Sequence, residues 1–134
     1  MDVYDDYYQN IAFTVPYEEM IKIFKGLKDK RNHEIDRIKE KIKKYEQKKR
    51  AEEAWYQSLS SVRKFFAGRP PAHHQAVEYL VHVKERFAAI EQLKKQINNL
   101  DEMTAMLMEE PEKERIVLPH SLIEEIRERR DNEK

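Results

Sequence analysis

Ala67-Gly68-Arg69-Pro70-Pro71-Ala72 is the stretch in which this helix-rich chain has to turn. Gly68 supplies the left-handed residue that commonly closes a helix, and two successive prolines forbid its continuation. Upstream, from Tyr17 to Ala67, there is no proline and a single glycine, Gly26. Apolar residues recur there in steps of three and four: Met20, Phe24, Leu27, then Ile35, Ile38, Ile42, Tyr45, and then Trp55, Leu59, Val62, Phe66. Downstream, Ala76, Leu80, Val83, Phe87, Ile90, Leu93, Ile97, Leu100, Thr104 and Leu107 repeat the same steps over about four heptads. Reflection about Arg69 sets Trp55 opposite Val83, Tyr45 opposite Leu93, Ile42 opposite Ile97 and Ile38 opposite Leu100. Two such stripes joined by a tight turn predict an antiparallel, coiled-coil-like helical hairpin.

Outward from the turn at 68–71, helix 1 is predicted over 17–67 and helix 2 over 72–108. A helix of that first length runs about 75 Å at roughly 1.5 Å per residue, too long for a compact globule. Pro16 suits the first position of helix 1, and Glu18 and Glu19 follow where the helix dipole favours negative charge. The segment 1–16 is aromatic and acidic, with Tyr4, Tyr7 and Tyr8 among Asp2, Asp5 and Asp6, and its end Ile11 to Val15 reads as a short extended run. The segment 109–119 is a solvated linker that finishes in a second short run, Arg115 to Pro119. Ser121 with Glu124 matches a capping box and opens a C-terminal helix over 120–134 whose polar end should fray. The hairpin's open end gathers Met20, Ile21, Ile23, Phe24 and Leu27 beside Met103, Met106, Leu107 and Met108. That exceeds what a two-helix seam can bury, so the terminal segments are expected to fold back as a small head. The predicted fold is therefore all-α, a long hairpin stalk with a small head. A two-helix stalk is thin, and a homodimer or higher oligomer is expected from hairpin packing.

Composition narrows the class. The chain has 134 residues, of which 39% are charged, with Lys+Arg 26 against Asp+Glu 26, Gly 2, Pro 5 and Cys 0. So little turn material excludes a many-stranded sandwich or barrel, and the lack of cysteine excludes disulfide frameworks and thiol chemistry. No apolar run is long enough for a bilayer span, and the acidic start is unlike a signal peptide, so a cytoplasmic protein with no membrane partner is expected.

The charge is segregated. Residues 22–50 hold 13 Lys/Arg against 5 Asp/Glu, with the densest run at Lys41, Lys43, Lys44, Lys48, Lys49 and Arg50. Clustered cations of this kind can grip phosphates. Glu34, Asp36 and Glu40 interleave with them at helix-pair spacing, which favours a solvated stalk face instead.

Chemistry-bearing motifs are sparse. His74, Glu78 and His82 form a ribbon at i, i+4 and i+8, but without an identifiable fourth ligand it reads as a helix ion-pair row, and no metal is expected. The serines lack a glycine elbow, and two glycines cannot build a phosphate cradle. No enzyme activity and no cofactor are expected. An aromatic cluster lies near the turn: Trp55, Tyr56, Phe65, Phe66 and Tyr79, beside Arg63, Lys64 and Arg69. Tyr56 and Phe65 fall off the seam, and exposed aromatic–Arg patches often anchor partners. The candidate partner-binding residues are therefore Tyr56, Phe65 and Arg69 near the turn, with the adaptable Met106 and Met108 at the open end. The expected function is a non-enzymatic helical protein–protein interaction module acting as adaptor, regulatory inhibitor or assembly protein. The alternative is a nucleic-acid-binding protein using 22–50.

Overall fold

A computed structural model of the chain describes residues 1–60, 63 and 72–133. Its elements are β1 (Asp2–Asp5), β2 (Asn10–Thr14), α1 (Tyr17–Ser58), α2 (Ala72–Tyr79), a π-helical turn (Leu80–Lys84), α3 (Glu85–Glu109), β3 (Arg115–Leu118) and α4 (His120–Asn132). The chain is mostly helical and contains one long helix, but it is not all-α, because three strands form a small sheet. The contacts divide it into two compact units: Met1–Asp29 with Ile97–Lys134, the sheet unit, and Lys30–Gln96, the hairpin unit.

The sheet runs β2-β1-β3, with β1 antiparallel to β2 and parallel to β3. Alternation along β1 turns Val3 and Asp5 inward, and β3 likewise buries Ile116 and Leu118. Val3 pairs with Phe13 but Tyr4 pairs with Ile11, so Ala12 is an extra residue and β2 is bulged there. Beneath the sheet lies one core: Val3, Val15, Met20, Ile23, Phe24, Leu27, Leu100, Leu107, Ile116, Leu118, Ile123 and Ile126. The first turns of α1, the last turns of α3 and α4 all contribute to it, which explains the surplus of apolar residues at those helix ends. Beside Gly26 lies the Arg129 guanidinium, the flexible end of a side chain that crosses α1 where a Cβ would stand. The sequence marked two extended runs and missed the strand between them, since Asp2-Val-Tyr-Asp is short and aspartate is depleted in strands.

The predicted capping box does not form. The residue at the N-cap of α4 is Pro119, with no side-chain cap, and its carbonyl accepts the amides of Leu122 and Ile123. Ser121 therefore sits inside the helix, and Glu124 pairs instead with Arg127 at 3.0 Å.

The hairpin unit is antiparallel, but in a different register from the one predicted. Arg31 Nε donates to Gln96 Oε1 at 2.8 Å, the Tyr45 ring stacks on His82, and Lys49 Nζ meets Glu78 at 2.6 Å. Tyr45 thus faces His82 rather than Leu93, a slip of eleven residues, or about three turns at roughly 3.6 residues each. A slip of nearly whole turns preserves the facing stripes, so Ile35, Ile42, Val83 and Ile90 are still buried. It also leaves Trp55 (60% exposed), Leu80 (47%) and Phe87 (50%) off the seam, where pairing had been expected. Helix 1 ends at Ser58, not Ala67. Ser58 Oγ donates to the Trp55 carbonyl and Ser60 Oγ accepts the Arg63 amide, so serine side chains compete for the backbone groups a continuing helix would use. The predicted turn at 68–71 and the seam residues Val62 and Phe66 lie outside the described residues.

Candidate docking site

A cleft of about 690 Å³ lies in the hairpin unit. That volume lies within the range of about 300–1,000 Å³ typical of ligand pockets. The last four turns of α1 furnish Tyr45, Lys49, Arg50, Trp55 and Tyr56, with Glu46, Glu52 and Glu53 at the rim. Gln75 and Tyr79 of α2 and Val83 of the π-helical turn complete it. The cleft opens where the helices offer aromatic side chains but no interlocking seam, a direct result of the register.

Two of its lining residues, Tyr45 and Lys49, are held by neighbours behind them. The Tyr45 and His82 rings stack 4.7 Å apart at 13°, and Lys49 Nζ lies 5.7 Å from the Tyr45 ring centre. The widened π-helical turn from Leu80 to Lys84 carries His82 into that stack. Lys49 holds Glu78 at 2.6 Å and Glu52 at 3.7 Å. The hydrogen bond to Glu78 raises the Lys49 pKa above the ordinary lysine value against the opposing effect of burial, and the charges of Glu78, Tyr45 and Glu52 add to the rise. Lys49 is therefore a half-buried, charged residue of the cleft, paired with Glu78 and Glu52. Lys41, Lys43, Lys44, Lys48 and Arg50 are exposed, and no ion pair forms at them among the described residues.

Of the predicted partner contacts, Tyr56 lines the cleft, while Phe65 and Arg69 lie outside the described residues. Met106 and Met108 belong to the sheet unit, where both are exposed on α3. Of the ribbon His74, Glu78 and His82, Glu78 pairs with Lys49 and His82 stacks on Tyr45, while the His74 side chain lies outside the described residues. No group of three metal-ligating side chains occurs among the described residues.

A second constellation escaped sequence reading. Asp5, 2% exposed, accepts hydrogen bonds from the Tyr7 and Tyr8 amides at 2.9 and 3.1 Å, and its other oxygen lies 2.7 Å from His120 Nδ1. Burial pushes this carboxyl up, but the His120 hydrogen bond, the Tyr8 and Tyr7 amides and the His120 charge outweigh it and hold the pKa below the ordinary value. The Gln9 amide bonds back to the Asp5 carbonyl, with Gln9 at φ 54°, and the turn so fixed sets the exposed Tyr7 and Tyr8 rings around His120. Asp5 therefore clamps the start of α4 to the end of β1. Only the fold joins residues so far apart in sequence, so no local motif could have revealed them.

No described helix is long and apolar enough to cross a membrane. Comparisons with protein-family models, with curated proteins and with solved structures found no match to this chain.

Proposed function

We propose that this protein is a non-enzymatic interaction module that docks a partner protein into the aromatic cleft of its helical hairpin. The observation that carries the reading is the exposure of Trp55 and Tyr79 along a concavity of about 690 Å³ whose lining residues Lys49 and Tyr45 are already held by Glu78 and His82. Rigid aromatic side chains around a concavity are the usual anchors of protein interfaces, because they bury large area at little entropy cost. Lys49 is already ion-paired with Glu78 and Glu52, which suits recognition of an apolar side chain better than acid–base chemistry. Trp55 is the chain's single tryptophan, so its fluorescence reports directly on the cleft.

The test is capture of partners from the native cell, followed by titration of each purified candidate against Trp55 emission. Trp55→Ala and Tyr79→Ala should each weaken a true partner by about 2 kcal/mol, roughly thirtyfold, while leaving the fold intact. A partner that binds both variants as well as the parent chain would remove the cleft from the interface.

A second reading, nucleic-acid binding, is supported by the exposed Lys41, Lys43, Lys44, Lys48 and Arg50. It requires salt-dependent retention of a DNA or RNA duplex, with the log–log slope falling by nearly one, about 0.9, for each lysine contact removed. The expected result at physiological salt is no measurable duplex binding.

A further inference from the structure

The two units carry opposite charge. The sheet unit holds 17 Asp/Glu against 9 Lys/Arg, and the hairpin unit holds 17 Lys/Arg against 9 Asp/Glu. A chain of formal net charge +0 is thus divided into parts of −8 and +8. Both charges are concentrated on the surface. On α1, Lys41, Lys44 and Lys48 stand three and four residues apart on one exposed helix face, without ion pairs among the described residues. Seven residues beyond Lys48 the same face reaches Trp55, at the mouth of the cleft. In the sheet unit, the segment that joins α3 to β3 exposes Glu109, Glu110, Glu112 and Glu114, also without ion pairs among the described residues. Exposed Met106 and Met108 immediately precede it.

We propose that the chain associates with itself, the Glu109–Glu114 corner of one copy seating on the Lys41–Lys44–Lys48 face of another. Met106 or Met108 of the first copy then enters the aromatic cleft of the second. Charge complementarity selects this occupant. The lysine face repels a second lysine face, and the carbon chains flanking the glutamates match the cleft in chemistry. Methionine is flexible enough to fill an irregular opening, and its sulfur packs favourably against aromatic rings. Oppositely charged patches accelerate encounter and fix register, and salt weakens them because screening acts over about 10 Å at 0.1 M. The apolar half of this contact rests on the docking reading of the cleft, whereas the charged half stands without it.

Sedimentation of the full chain tests the proposal. Association should be evident at about 20 mM salt and weaker by roughly tenfold or more at about 500 mM. A stripe variant (Lys41→Glu, Lys44→Glu, Lys48→Glu) and a corner variant (Glu109→Lys, Glu110→Lys, Glu112→Lys) should each be monomeric at low salt, and an equimolar mixture should associate again. Circular dichroism verifies that both fold, and the corresponding Gln variants replace either one that does not. Trp55 emission should shift with protein concentration at low salt, and Met106→Ser with Met108→Ser should reduce that shift. A monomer at every salt concentration, association indifferent to salt, or a mixture that stays monomeric would overturn the proposal. So would binding of a DNA duplex by the lysine face in preference to a second copy. Partner capture through Trp55 is unaffected by these outcomes, so the docking reading stands or falls separately.

Discussion

At the residue scale, the pair Asp5 and His120 joins the end of β1 to the start of α4. The carboxylate is nearly inaccessible to solvent, yet it stays ionised because its oxygens accept hydrogen bonds from Tyr7, Tyr8 and His120. Its pKa in the folded chain lies below the ordinary value of 3.8, so its contribution to stability is complete above that value and is lost as pH falls through the folded one. Asp5→Asn should therefore lower the midpoint of thermal unfolding at neutral pH, and the gap from the parent chain should close in acid below about 3.8. A gap that persists unchanged into strong acid would mean that Asn disturbs the turn sterically rather than by losing charge. This pair was invisible in the sequence because neither residue sits in a local pattern. Gly26 was visible as an oddity in a long helix, but its neighbour, the Arg129 guanidinium, needed the fold.

Helical seams were legible at the element scale, whereas their pairing was not. Periods of three and four in sequence say which face of a helix is apolar, and Ile35, Ile42, Val83 and Ile90 are indeed buried. They do not say which turn faces which, since sliding one helix by three turns presents nearly the same stripe. The break after Ser58 removed the premise of the reflection, a single helix reaching Ala67. A Leu-Ser-Ser run is a weak stop beside Gly-Arg-Pro-Pro, so the sequence points to the later turn. The observed register makes a sharp forecast. Ile42→Asp, which buries a carboxylate in the seam, should cost at least about 3 kcal/mol, and Lys43→Asp, one residue on at an exposed position, should cost less than about 0.5. Denaturant unfolding of the two variants measures the contrast, and similar midpoints would refute the seam. The sheet follows the same logic: β2 and β3 were readable as extended runs, whereas β1 becomes a strand because it has neighbours on both sides.

At the scale of the whole molecule, apolar burial among the described residues is distributed unevenly between the two units. Twelve residues share the core of the sheet unit, from Val3 to Ile126, while the hairpin unit buries Ile35, Ile42, Val83 and Ile90 along one stripe. Two helices in contact along a single stripe are marginal without further cover, because backbone ordering offsets most of what one seam contributes. The unit with the thinner core is also the one that carries the aromatic cleft and the exposed lysines. That combination is what the proposed docking role requires: surface left apolar for a partner cannot also stabilise the free chain. Amide hydrogen exchange should therefore separate the units. Protection at Ile23, Phe24 and Leu27 in the sheet unit should exceed that at Tyr45, Lys49 and Trp55 in the hairpin unit by at least about a hundredfold. Conditions that promote docking should raise protection in the second group, because a bound partner stabilises the closed state by mass action. Equal protection across both units would show that the hairpin is stable in its own right, and its exposed apolar residues would then need no partner to explain them.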